Sequence, residues 1–226
     1  DGDALQRHAN FLLEEVTTYD YDGLDLNYES IYLKDKKAFF TLVETLSEGL
    51  KKNSKMLSIT VLSKWGDDID YSFAPQTREV QNYKELEPYA DQLRIMTYDF
   101  TSQGSDTSGP IAPEEWVREV LDYTKGTGIA INKVVLGVHM YGYSWPENNR
   151  AKALDYRIVH ILQKTNETTQ TNYDPESNEA TIRYIKEGVP HSGYYASPEV
   201  IKARLNIAVE YGLQGVSFWR LGDDQL

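Results

Sequence analysis

Five short runs rich in branched and aromatic residues recur along the chain, at 22–29, 56–62, 92–98, 133–139 and 215–221. Between them lie longer stretches whose apolar residues repeat at helical spacing. Residues 3–18 place Leu5, Phe11 or Leu12, and Val16 on one face. Residues 34–52 carry a broad stripe of Phe39, Phe40, Leu42, Val43, Leu46 and Leu50, with Lys51 and Lys52 at the dipole-favoured C-terminal end. Further helices are predicted at 83–90, from Pro113 to about Lys125, at 151–164, and from Pro198 to Tyr211, where Gly212 ends the last one. A chain in which strands and helices alternate builds βα units around a parallel sheet. Residues 170–196 depart from that rhythm. They alternate polar and apolar and break at Asp174-Pro175, Gly188 and Pro190, which predicts a small antiparallel excursion.

Composition narrows the function classes. The net charge of −12 argues against nucleic acid or an anionic membrane surface as partner. No apolar run approaches the roughly 20 residues of a membrane span. Cysteine is absent, so there is neither a disulfide framework nor thiolate chemistry.

The stretch Tyr21-Asp22-Gly23-Leu24-Asp25-Leu26-Asn27-Tyr28-Glu29 is the most informative in the chain. As a strand, it puts Leu24, Leu26 and Tyr28 on one face and Asp25, Asn27 and Glu29 on the other. Carboxylates two positions apart, roughly 7 Å by strand geometry, repel each other, and burial raises that cost. Two readings are open: a solvated edge face, or an acid with its tuning groups.

The pattern Asp22-x-x-Asp25-x-Asn27-x-Glu29 resembles the signature of family 18 glycoside hydrolases, the chitinase family. That signature is Asp-x-x-Asp-x-Asp-x-Glu at the end of the fourth strand of a (β/α)8 barrel. Asn27 stands where the family usually has its third Asp. Met96-Thr97-Tyr98-Asp99 resembles the end of the family's sixth strand. Leu136-Gly137-Val138-His139-Met140-Tyr141-Gly142-Tyr143-Ser144-Trp145 is similar to its seventh strand and loop, and Ser217-Phe218-Trp219 to its eighth. Each match lies at a strand's C-terminal end, where barrel enzymes carry their sites. Gly109-Pro110-Ile111-Ala112-Pro113 and the Tyr141–Trp145 stretch look most like the bacterial spore-cortex and cell-wall branch.

The resemblance implies an α/β fold of TIM-barrel type. The chain would be the C-terminal part, residues 1–226, of one barrel domain: strands four to eight, with the small antiparallel insertion after strand seven. It implies that Glu29 is the general acid, supported by Asp25 and Asn27. Tyr98 would hold the substrate's acetamido carbonyl. Asp22, Met96, Asp99 and Tyr141 would line the sugar site, and Trp219 would floor it. The implied reaction is retaining and substrate-assisted, with no protein nucleophile, cofactor or metal. Asn27 can accept the acetamide N–H through its oxygen but supplies no negative charge. The implied partner is a polysaccharide, chitin or the glycan strands of peptidoglycan, acted on outside the cell or in the cell wall. A non-hydrolytic carbohydrate-binding relative is the alternative. Asp25, Asn27 and Glu29 are expected to point to the sheet's interior side, with Glu29 at the C-terminal mouth near Tyr98 and Trp219.

Overall fold

A computed structural model describes residues 2–147 and 150–222. The chain forms two compact units. One comprises residues 1–96 and 122–135, the other residues 97–121 and 136–226.

The first unit opens with helix α1 (Gly2–Thr18). Its inward stripe is Leu5, Ala9, Leu12 and Val16, spaced at one or two helical turns; Phe11, expected as an alternative to Leu12, points outward. Strand β1 (Gly23–Asn27) follows, then helix α2 (Lys36–Lys52), which buries Phe39, Leu42, Val43, Leu46 and Leu50. The two helices lie close, for a Cβ at Gly49 would come within 2.5 Å of Leu13. Strand β2 (Met56–Leu62) is buried from Leu57 onward, as a central parallel strand covered on both faces should be. Two short helices, α3 (Pro75–Val80) and α4 (Tyr83–Leu86), lead to strand β3 (Gln92–Met96). β1, β2 and β3 pair in parallel, with Asp25 opposite Ser58, Asn27 opposite Thr60, and Thr60 opposite Arg94.

Two differences from the sequence expectation matter for the site. β1 ends at Asn27, so Tyr28 and Glu29 lie just beyond the strand. Helix α3, where no element was predicted, and Gln81 just after it supply the side chains that fix that end.

Helix α5 (Glu114–Gly126) and strand β4 (Val134–His139) each begin in one unit and end in the other. The second unit holds β5 (Tyr141–Pro146), β6 (Lys152–Asp155), α6 (Tyr156–Thr165), β7 (Gln170–Asp174), β8 (Glu179–Lys186), β9 (Val189–Tyr195), α7 (Pro198–Glu210) and β10 (Gly215–Trp219). β5 to β9 form an antiparallel sheet in the order β6-β5-β9-β8-β7. The sheet therefore starts at Tyr141, earlier than the predicted excursion, and takes in the first residues of the helix predicted over 151–164. β8 and β9 join through the two-residue turn Glu187-Gly188, both at positive φ (53° and 78°), as a hairpin turn matching strand twist requires. Leu154, Val159, Ile182, Tyr184, Tyr195 and Val200 make a buried core where α6 and α7 cover this sheet.

Candidate functional site

In the first unit, the expected alternation is present. Leu26 is buried and Leu24 and Tyr28 are half-buried, while Asp25, Asn27 and Glu29 share the opposite side. That side is exposed in this chain, so the burial expected to sharpen the repulsion is absent. Asp25 is nonetheless partnered. Thr60 Oγ1 donates to it at 2.8 Å, and the Arg94 guanidinium sits 3.6 Å away. The three form a polar row across β1, β2 and β3. Asn27 donates its side-chain N–H to Glu29 Oε1 at 2.9 Å, so these two predicted residues are in direct contact.

The backbone that carries Glu29 is tied down from α3 and the residue after it. Gln81, fully buried, donates to the Tyr28 carbonyl at 3.0 Å and accepts from the Leu62 N–H at 2.8 Å, joining the ends of β1 and β2. Thr77, also buried, accepts from the Ile31 N–H at 2.9 Å. Asp22 lies at the other end of β1 from Glu29, where its carbonyl accepts from the Met56 N–H. Met96 closes β3, buried and opposite Leu62.

The second unit gathers the aromatic residues. Along β5, Tyr141, Tyr143 and Trp145 point the same way, with neighbouring ring centroids 5.3 and 5.9 Å apart. Tyr98 meets the Tyr141 ring edge-on at 6.3 Å. Tyr98, Tyr141 and Tyr143 all pack against buried Ile111, Trp145 and Ala151. Asp99 adopts φ 58°, the left-handed region. Its Oδ1 accepts the Tyr141 hydroxyl at 2.5 Å and the Tyr143 hydroxyl at 3.1 Å. Burial, reinforced by the Asp99 carboxylate, pushes both phenols well above the usual tyrosine range, so both stay protonated donors. Trp219 ends β10 half-exposed, and its carbonyl accepts from the Met140 N–H at 2.7 Å. Asp99, Tyr141 and Trp219 line one cleft of about 240 Å³ together with Gln103, Tyr143 and Asp155.

Tyr143, Gln103 and Asp155 are cleft residues that the sequence reading did not select. Tyr143 stands two positions from Tyr141 in β5, but the predicted strand ended at His139, so their common face gave no signal. Gln103 and Asp155 had none either. Asp155 caps α6, accepting from the Ile158 N–H at 2.6 Å, and from sequence it lay within a predicted helix. Among the described residues no cluster of His, Asp or Glu suits a metal ion.

A half-exposed indole and phenols held by a carboxylate give apolar faces beside fixed polar groups, a lining that suits a sugar ring. The family profile of glycosyl hydrolases family 18 matches residues 2–224, and the chain belongs to that family. A cortical fragment-lytic enzyme of Bacillus anthracis is 26% identical over 93% of the chain, which covers 49% of that enzyme. The uncharacterized glycosylase YvbX of Bacillus subtilis is 24% identical over 98% of the chain, which spans 63% of its length. The chain thus spans about half to under two thirds of these relatives. Among solved structures, the spore cortex-lytic enzyme of Bacillus cereus superposes with a TM-score of 0.87 at 25% identity, over 99% of this chain and 51% of that one. A chitinase of Chromobacterium violaceum gives 0.87 at 22% identity, over 99% and 68%.

Proposed function

We propose that the protein is a glycosidase that cleaves β-1,4-linked N-acetylglucosamine polymers, chitin or peptidoglycan glycan strands, and that this chain is the fourth-to-eighth-strand part of its (β/α)8 barrel. The observation that carries the reading is the contact between Asn27 and Glu29 just past the end of a parallel strand, inside the family's own signature. A carboxyl at such a strand end, held by an amide donor, is placed to meet a ligand.

In this reading Glu29 donates its proton to the glycosidic oxygen as the C–O bond breaks. The oxygen of the substrate's own 2-acetamido group attacks the anomeric carbon, giving a cyclic oxazolinium. Water then opens that ring from the face the leaving group vacated, passing its proton to Glu29, so configuration is retained. Tyr98 orients the acetamide and Asp99 lines the same subsite, while Trp219 supplies an apolar floor. Asp25, tied to Thr60 and Arg94, keeps the strand's polar row in register. Asn27 spends its N–H on Glu29 and keeps its oxygen as an acceptor for the acetamide N–H. The relatives named as cortical fragment-lytic and cortex-lytic enzymes support action on the cell wall outside the cytoplasm.

The test is product release by the full-length protein from a chromogenic chito-oligosaccharide and, separately, from purified peptidoglycan. Turnover of either one that Glu29→Gln abolishes supports the reading. Binding without turnover in the wild type would instead make the protein a carbohydrate-binding relative.

A further inference from the structure

Outside the residues given roles above, the second unit buries an ionisable cluster. Glu179, at the start of β8, is completely buried. Its two oxygens do different jobs: Oε2 accepts the Ile111 N–H and Oε1 the Ala112 N–H, both at 2.7 Å. Arg204 of α7, 2% exposed, donates to the Ala112 carbonyl at 2.5 Å and lies 3.6 Å from Glu179 Oε1 and 3.7 Å from Glu114. The Pro110–Ala112 segment is thus gripped on its amide side by an acid and on its carbonyl side by that acid's partner.

From this grip two routes lead to the cleft. Through the backbone, Phe100 N–H donates to the Ile111 carbonyl at 2.8 Å and Thr101 N–H to the Pro110 carbonyl at 3.2 Å, and Phe100 directly follows Asp99. Through side chains, Ile111 is part of the buried cluster that Tyr98, Tyr141 and Tyr143 pack against. His139, fully buried 3.5 Å from Glu179, packs edge-on against the Tyr141 ring at 5.8 Å. The left-handed backbone at Asp99 is disfavoured for a residue with a side chain, so it needs surroundings that enforce it.

We propose that Glu179 is a positioning residue: its carboxyl group fixes the Pro110–Ala112 segment and so holds Asp99 and Tyr98 where they select the N-acetyl group of the sugar. The inference rests on the functional reading above, which assigns Tyr98 to that group. Only a carboxyl group fits the grip, since each of its two oxygens can accept a backbone N–H whether or not the group carries a proton. Glutamine has one acceptor end, so its N–H2 would face one of the two backbone N–H groups, and aspartate is a methylene too short to reach.

The test compares binding of a chito-oligosaccharide with binding of its de-N-acetylated counterpart to the full-length protein, in a Glu29→Gln background that prevents turnover. The ratio of the two affinities does not depend on how much of the sample is folded. Replacing Glu179 by Gln should lower that ratio about tenfold, chiefly through weaker binding of the N-acetylated sugar. It should also speed amide exchange at Phe100 and Thr101. An unchanged ratio, even with a lowered melting temperature, would make Glu179 a stabilising residue only and overturn the proposal. Should Glu179→Gln fail to fold, Arg204→Lys takes its place with the same two outcomes, because lysine lacks the fork that bridges Glu179 to the Ala112 carbonyl. If the parent protein binds neither sugar, the functional reading fails, and exchange at Phe100 and Thr101 decides alone whether Glu179 holds the segment.

Discussion

Asn27→Asp is the substitution that most directly probes the chemistry. The wild-type amide donates to Glu29 Oε1 at 2.9 Å. An aspartate there loses that donor and sets a second carboxylate beside the first. Both positions are exposed, so the dielectric of water applies; at 2.9 Å the repulsion of two unit charges is then about 1.4 kcal/mol, roughly tenfold in an equilibrium constant. Salt screens little at so short a range. Keeping a proton on the pair becomes easier by that factor, so the basic limb of the kcat/KM profile should move up by about one pH unit. The new charge should also favour the forming oxazolinium and raise the rate at the optimum. The assay is the pH–rate profile of both forms on a chromogenic chito-oligosaccharide, with melting temperatures alongside. A limb that stays put or moves down would refute Glu29 as the acid next to position 27. A lower rate at unchanged stability would show that the amide itself works in this site.

Three other expectations can be checked independently. Glu29→Gln should cut turnover by roughly 10²- to 10⁴-fold while sugar binding, measured by calorimetry, persists. Gly142→Ala should destabilise by about 1–3 kcal/mol in denaturant titrations, because its Cβ would fall 2.0 Å from the Tyr194 carbonyl oxygen and 2.5 Å from Tyr195 Cα. Burial pushes Glu179 up from 4.5 to about 7, against the pull of Arg204 and the two amides. The folded state therefore holds a proton that the unfolded state has released between those values, and stability falls as pH rises across that window. The wild type minus Glu179→Gln difference in unfolding free energy should slope down by up to about 1.4 kcal/mol per pH unit there and flatten above pH 7. A difference curve that rises across the window would refute the assignment.

The βα rhythm, the bounds of β2, and the shared face of Asp25, Asn27 and Glu29 were legible in the sequence. They depend on local periodicity, which a chain carries whatever it packs against. Period two alone puts Asn27 and Glu29 within reach of one another. Tyr141 was legible only through the family resemblance, and neither the common face it shares with Tyr143 nor their joint bond to Asp99 could be read in a stretch whose predicted strand ended at His139.

What tertiary structure decided were the partners that lie far apart in the chain. β5 becomes a strand because two glycines let backbones close in; a Cβ at Gly142 or Gly193 would strike the neighbouring strand's carbonyl. Gly142 pairs with Tyr195, more than fifty positions on, so local sequence favoured a loop. Helix α3 has six residues, several polar, and its purpose shows only when Thr77 and the following Gln81 are seen holding the ends of β1 and β2. Glu179 reads from sequence as one more surface acid among 35 acidic residues. Its burial follows from two amides 67 and 68 positions away and an arginine on α7, because a carboxylate leaves water only where the fold supplies every hydrogen bond that water gave it.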